Sequence, residues 1–175
     1  MEHFAKRIKI LVYGENNLVR KILSPFASVP EEIDFVGGYH PVNCDITIEN
    51  EEFKTQFLIL DYKSAVFSNH LFNLCHGLLV VLEGMNLDHF NKAEKLFGML
   101  NQELEKDIFI SIVDVVQDTL SEKETFRISE KVTTLIEQIK EKIDTSVSFS
   151  LVPDTPQLVR CVKDLIQTSK ILTVL

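Results

Sequence analysis

Apolar residues recur along the chain with two alternating periods. The run Ile8 to Tyr13 is nearly continuous, as a strand covered on both faces should be. After Gly14, residues Leu18, Val19, Ile22, Leu23 and Phe26 fall on one face at helical spacing, and Pro25 is placed to shorten or kink that helix. Residues 29 to 44 contain Pro30, Gly37, Gly38 and Pro41 and read as a loop. Cys44 to Glu49 alternates apolar and polar, the pattern of a half-exposed edge strand. Asn50 to Glu52 turns the chain, and Phe53 to Leu60 returns as a deeper strand.

The second half repeats a simpler unit. A short helix from Ser68 to Cys75 leads into a buried strand, Gly77 to Leu82. A helix over 88–105 carries the stripe Phe90, Ala93, Phe97, Leu100 and Leu104, and a strand over 107–113 follows. The helix over 121–143 turns Val132, Leu135, Ile136, Ile139 and Ile143 inward, and Val147 to Val152 is the last strand. Thr155 and Pro156 then form an N-cap and first-turn pair for a final helix with Leu158, Val159, Val162, Leu165 and Ile166. Strands alternating with helices predict a three-layer, doubly wound α/β fold. Its sheet is mixed, mostly parallel with one antiparallel edge hairpin. At 175 residues, with no repeat or linker, the chain fits one domain over 1–175.

Composition narrows the class. Apolar content of 45% and charged content of 25% are those of an ordinary globular domain. A net charge of -8 argues against a nucleic-acid surface, which needs clustered Lys and Arg, and against docking on anionic lipid. No apolar run is long enough for direct membrane insertion. The 3 cysteines, Cys44, Cys75 and Cys161, are sparse and lack metal-ligand spacing. With no secretory leader pattern at Met1, the expected location is cytoplasmic, with nuclear as the other option.

Candidate chemistry centres on Tyr13-Gly-Glu-Asn-Asn-Leu-Val-Arg-Lys21, at the junction of the first strand and helix. A phosphate-binding loop there reads G-x-x-x-x-G-K-[ST]. Gly14 matches. Val19 stands at the second glycine, Arg20 at the lysine and Lys21 at the Ser/Thr. A β-branched side chain replaces the residue that lets backbone N–H groups curl around phosphate, and a cation replaces a magnesium-ligating hydroxyl. Cys75-His76 is a weak catalytic pair, because adjacent residues need not face one another and no acid partner is identifiable. Glu31-Glu32 and Glu51-Glu52 read as loop and turn charge, not as paired catalytic carboxylates.

The order strand, glycine loop, helix, hairpin and βα units resembles the Ras-like small GTPases over about residues 7–170. The most specific stretch is Asp45 to Ser64, which looks like that family's hairpin running into its D-x-x-G box. The resemblance implies a Ras-like P-loop fold with a degenerate site. Asp61 keeps the box aspartate, but Ser64 stands for its glycine and Ala65 for the common catalytic glutamine. Where N-K-x-D should recognise guanine the chain reads Asp114-Val-Val-Gln117, or Val115 to Asp118 if shifted by one. Val152-Pro-Asp154 stands where the family has S-A-K. The implied protein is a non-catalytic pseudoGTPase without cofactor or metal, acting through protein partners in a hetero-oligomeric complex of the adaptor-assembly, transport or kinetochore type. The alternative is an atypical GTPase that binds GTP or GDP through altered contacts. Receiver-like and flavodoxin-like readings rank below both, lacking the acid cluster and hydroxyl-rich loop they need.

If the site is vestigial, surface carries the function. The loop Gly37 to Pro41, with Tyr39 and His40, lies where the family binds effectors. The edge strand Cys44 to Glu49 could accept another strand. The segment 62–72, with Tyr62, Val66, Phe67 and Phe72, is more apolar than a solvent loop needs. The C-terminal Ile171 to Leu175 either packs back or meets a partner.

Overall fold

The computed structural model describes residues 7–63, 69–83, 86–103, 108–115, 121–142, 147–152 and 155–173. In chain order the elements are β1 (Ile8–Tyr13), α1 (Asn16–Leu23), β2 (Tyr39–Ile48), β3 (Glu51–Leu60), α2 (Asn69–Leu74) and β4 (Gly77–Glu83). They continue with α3 (Leu87–Glu103), β5 (Phe109–Val115), α4 (Glu122–Lys142), β6 (Val147–Val152) and α5 (Thr155–Ser169). A 3-10 turn, Lys170–Thr173, follows.

The strands form a 6-stranded sheet in the order β2-β3-β1-β4-β5-β6. Every neighbouring pair is parallel except β2 with β3. The side-chain period of two divides the core between the faces. Leu11, Leu58, Leu78, Val80 and Ile112 pack with Phe72, Phe90, Leu96 and Val132 on one side. Ile10, Val12, Phe57, Leu79 and Val113 pack with Val19, Ile22, Val162 and Ile166 on the other. The result is three layers, with α1 and α5 over one face and α2, α3 and α4 over the other.

The helix starts follow local chemistry. Ser121 and Glu124 cap α4 reciprocally, the Ser121 N–H donating to Glu124 Oε2 and the Glu124 N–H to Ser121 Oγ. Asn86 Oδ1 accepts the N–H groups of Asp88 and His89 and so caps α3. In the final turn, Lys170 pairs with Glu51, while Ile171 stays 58% exposed.

The expected loop over 29–44 is too long. β2 begins at Tyr39, which pairs with Leu60, and its register runs unbroken to Ile48 opposite Glu51. Pro41 misled the sequence reading because it lacks an N–H, but β2 is the sheet's edge, where that donor is not needed. Positive φ at Gly37 (70°) and Gly38 (88°) makes the turn before the strand, closed by the Val36 N–H on Tyr39 O. Phe72 is also corrected. It is fully buried on the core-facing side of α2 and is not available to a partner. Its apolar bulk is explained by packing. Ser64, Phe67 and Gln117 lie outside the described residues, as do Ala65, Val66, Pro153 and Asp154 and the side chains of Leu104, Ile139 and Ile143.

The β2–β3 hairpin turns at Glu49 and Asn50, with φ of 50° and 68°. Positive φ at both central residues is the mark of a type I′ turn, which matches strand twist but strains glutamate. Glu49→Asn with Asn50→Gly should stabilise the fold by about 1 kcal/mol and raise the melting temperature by about 2–4 °C. An unchanged or lowered melt would show that Glu49 holds the turn through contacts that outweigh its strain.

Candidate functional site

In an open α/β sheet, ligands bind outside the carboxyl ends of the strands where the chain's winding reverses. Here α1 and α2 leave the central strands toward opposite faces, so that place is the crevice at the ends of β1, β3 and β4. It holds Gly14, Glu15, Asp61, Tyr62 and Glu83, with Asp88, His89 and Lys92 from α3 beside them.

The junction of β1 and α1 is short. Helix α1 starts at Asn16, leaving Gly14 and Glu15 as the connection. The Val19 N–H donates to Glu15 O at 3.0 Å, inside the helix. The Val19 side chain is fully buried. A Cβ built on Gly14 would lie 3.0 Å from Val81 Cβ and from Val81 O, and 3.3 Å from Val19 Cγ2. Gly14 thus sits in close packing between β1, α1 and β4, where a Cβ would make tighter contacts than side chains usually do. A phosphate cradle needs several consecutive N–H groups turned outward, and at position 19 that N–H is committed to the helix.

Around this junction the expected site residues scatter. The Arg20 guanidinium reaches toward the loop, with Nη2 3.9 Å from Glu31 Oε1. Lys21 is exposed. Asp61 Oδ1 accepts the Lys63 N–H at 3.1 Å, and its own N–H donates to Gly38 O at 3.1 Å. Tyr39 packs partly buried against the core, and His40 donates from Nδ1 to Asp34 O at 3.1 Å. Tyr13, Tyr62 and Asp114 come to the strand ends. Cys75 and His76 lie at the sheet's other end, where His76 Nδ1 accepts the Lys9 N–H.

Residues that the motif comparison overlooked fill the crevice. The Tyr13 and Tyr62 rings lie 5.5 Å apart, and His89 meets Tyr62 edge-on at 5.7 Å. Lys92 Nζ stands 3.9 Å from the Tyr62 ring centre and 3.6 Å from Asp88 Oδ2. Burial, and then the Asp88 and Asp61 charges, push the Tyr13 hydroxyl up to about 12. Burial and the Asp88 charge raise Tyr62 further. Burial lowers His89, whose Nδ1 accepts the Glu83 N–H at 3.0 Å, so the ring is held neutral. The two tyrosines keep their protons at neutral pH, His89 stays uncharged, and the three rings pack together. The available signal was aromatic residues at the ends of two strands that must be neighbours.

Asp114 is one of several residues, with Asn16, Arg20 and Ser169, whose buried polar atoms lack a hydrogen-bond partner among the described residues. It is fully buried at the end of β5, between Leu82 and Leu151 in register, and neither carboxyl oxygen has a hydrogen-bond partner among the described residues. Burial first, then the Glu83 charge, pushes its carboxyl up to about 6. Among the described residues, no three His, Cys, Asp or Glu side chains are grouped to hold a metal ion, and no helix is long and apolar enough to cross a membrane.

A scan against protein-family models finds none that matches, and no curated protein matches the sequence.

The Asp114 environment has a consequence for stability. Its folded pKa lies above the usual carboxylate range, so the folded chain binds that proton more tightly than the unfolded one. The contribution therefore turns unfavourable as pH rises from about 4 to about 6. Asp114→Leu removes the buried carboxyl and should melt a few degrees above wild type at pH 7.5. The gap should narrow at pH 5, where wild-type Asp114 is mostly protonated. A variant that melts below wild type at pH 7.5 would show that the carboxylate has a favourable partner.

Proposed function

We propose that this chain is a Ras-like pseudoGTPase that works as a non-catalytic interaction subunit of an intracellular, hetero-oligomeric protein complex. Support for the Ras-like part comes from the order of elements: a strand, a glycine junction, a helix, an antiparallel edge hairpin and then βα units. The observation that carries the loss of nucleotide is Val19. Its N–H is bonded within α1, and its side chain occupies the space against Gly14. The packed aromatic rings, and Asp114 buried where an asparagine would meet guanine, agree with that reading. For the interaction role, the surface left open is the turn before β2 and the β2 edge, where Val36 is 74% exposed.

Nucleotide binding decides between this reading and an atypical GTPase. A ligand at a hundred times its dissociation constant stabilises a fold by about 2.7 kcal/mol, which for this size is a rise of roughly 5–10 °C. Melts with millimolar GTP or GDP and magnesium should overlay the melt without them, and denatured protein should release no nucleotide. A rise of several degrees would favour the atypical GTPase.

The interaction role has its own test. In extract of cells expressing it, the chain should elute well above its 20.0 kDa, and Val36→Asp should return it toward that size without changing its melt. Elution as a free monomer in extract would contradict a role as a complex subunit.

A further inference from the structure

A second surface lies on the opposite side of the sheet from α1. Between α3 and the first half of α4 is a cleft of about 350 Å³, lined by Phe90, Arg127, Ile128, Glu130 and Lys131. Its floor is apolar, since Phe90 and Ile128 are 6% and 1% exposed and belong to the core layer. Its rim is cationic. Arg127 and Lys131 stand one helical turn apart on α4, and Lys131 Nζ lies 5.8 Å from the Phe90 ring centre. Neither cation is in an ion pair among the described residues. Next to the cleft, Phe126 is 64% exposed on the outer face of α4. It lines a shallow depression that shares Glu130 and Lys131 with the cleft.

We propose that this cleft docks an acidic segment of a partner protein carrying a large apolar anchor. The anchor enters against Phe90 and Ile128, and carboxylates flanking it pair with Arg127 and Lys131. Charge decides the occupant. The chain carries -8 overall, yet here two unpaired cations border an apolar floor. An acidic segment gains both ion pairs as the cleft loses water, whereas a basic one meets like charge at the rim. A second copy would bring its own -8 against this chain's. Nucleic acid or an anionic bilayer would meet the same repulsion over a far larger area. Glu130, the acid in the lining, repels incoming carboxylates, which pair instead with Arg127 and Lys131. The inference does not depend on whether nucleotide binds.

The test is selection of short random peptides on the full chain, followed by fluorescence anisotropy with the enriched ones. Enriched peptides should place Asp or Glu beside Leu, Phe or Met, and their binding should weaken as salt rises. Arg127→Glu with Lys131→Glu should reduce affinity at least about tenfold. Arg127→Gln with Lys131→Gln should give a smaller loss, and both variants should melt as wild type does. The proposal is overturned if no peptide is enriched, if the enriched peptides are basic, or if charge reversal leaves binding unchanged. Concentration-dependent dimers that the charge reversal abolishes would overturn it in favour of a second copy.

Discussion

The contact between Gly14 and Val19 sets the character of this molecule. At the end of β1 the backbone lies so close to Val81 that a Cβ on Gly14 would stand only 3.0 Å from its Cβ and carbonyl oxygen. Val19 packs into the same space from the first turns of α1 and is completely buried. These contacts leave Gly14 and Glu15 as the whole connection between strand and helix. A loop that wraps an anion must hold its amides outward and its side chains out of the way. Here the available room is filled by an aliphatic group, and the amide is tied into the helix.

The rest of the crevice follows the same rule. Tyr13, Tyr62 and His89 close it with ring contacts, and Lys92 caps the stack with its charge offset by Asp88. Their displaced pKa values come first from burial, so they describe packing more than chemistry. Asp114 buries both carboxyl oxygens without a hydrogen-bond partner among the described residues, and it subtracts stability at neutral pH. The exposed apolar residues Val36, before β2, and Phe126, on α4, lie away from this crevice.

Much of the architecture was legible in the sequence because both periods are clean. Ile8 to Tyr13 and Val147 to Val152 match their strands, and the Cys44 to Glu49 alternation marked the edge. The long loop over 29–44 was misread because Pro41 and two glycines look like turn chemistry. An edge strand tolerates the proline, and only Gly37 and Gly38 adopt the turn. Phe72 was misplaced for a related reason. A helix as short as Asn69–Leu74 gives too few residues for a periodic stripe to separate core from surface. At the site, the sequence placed Val19, Arg20 and Lys21 at the junction of the first strand and helix, where the structure has them. It could not show that His89 and Lys92 reach Tyr62, because that meeting depends on where α3 lies over the sheet. The cationic rim on α4 was hidden too, since Arg127 and Lys131 sit in a helix that also carries Glu122, Glu124, Glu130, Glu137 and Glu141.

The most direct measurement of the central claim is an amide-resolved NMR titration with magnesium and GTP. If α1 begins where the geometry places it, the backbone resonances of Gly14 through Lys21 should stay fixed to millimolar nucleotide. The Val19 amide should also be strongly protected from hydrogen exchange before any nucleotide is added. Saturable movement of those resonances, with rapid exchange at Val19 in the free protein, would mean that the junction opens into a phosphate loop and would contradict the account.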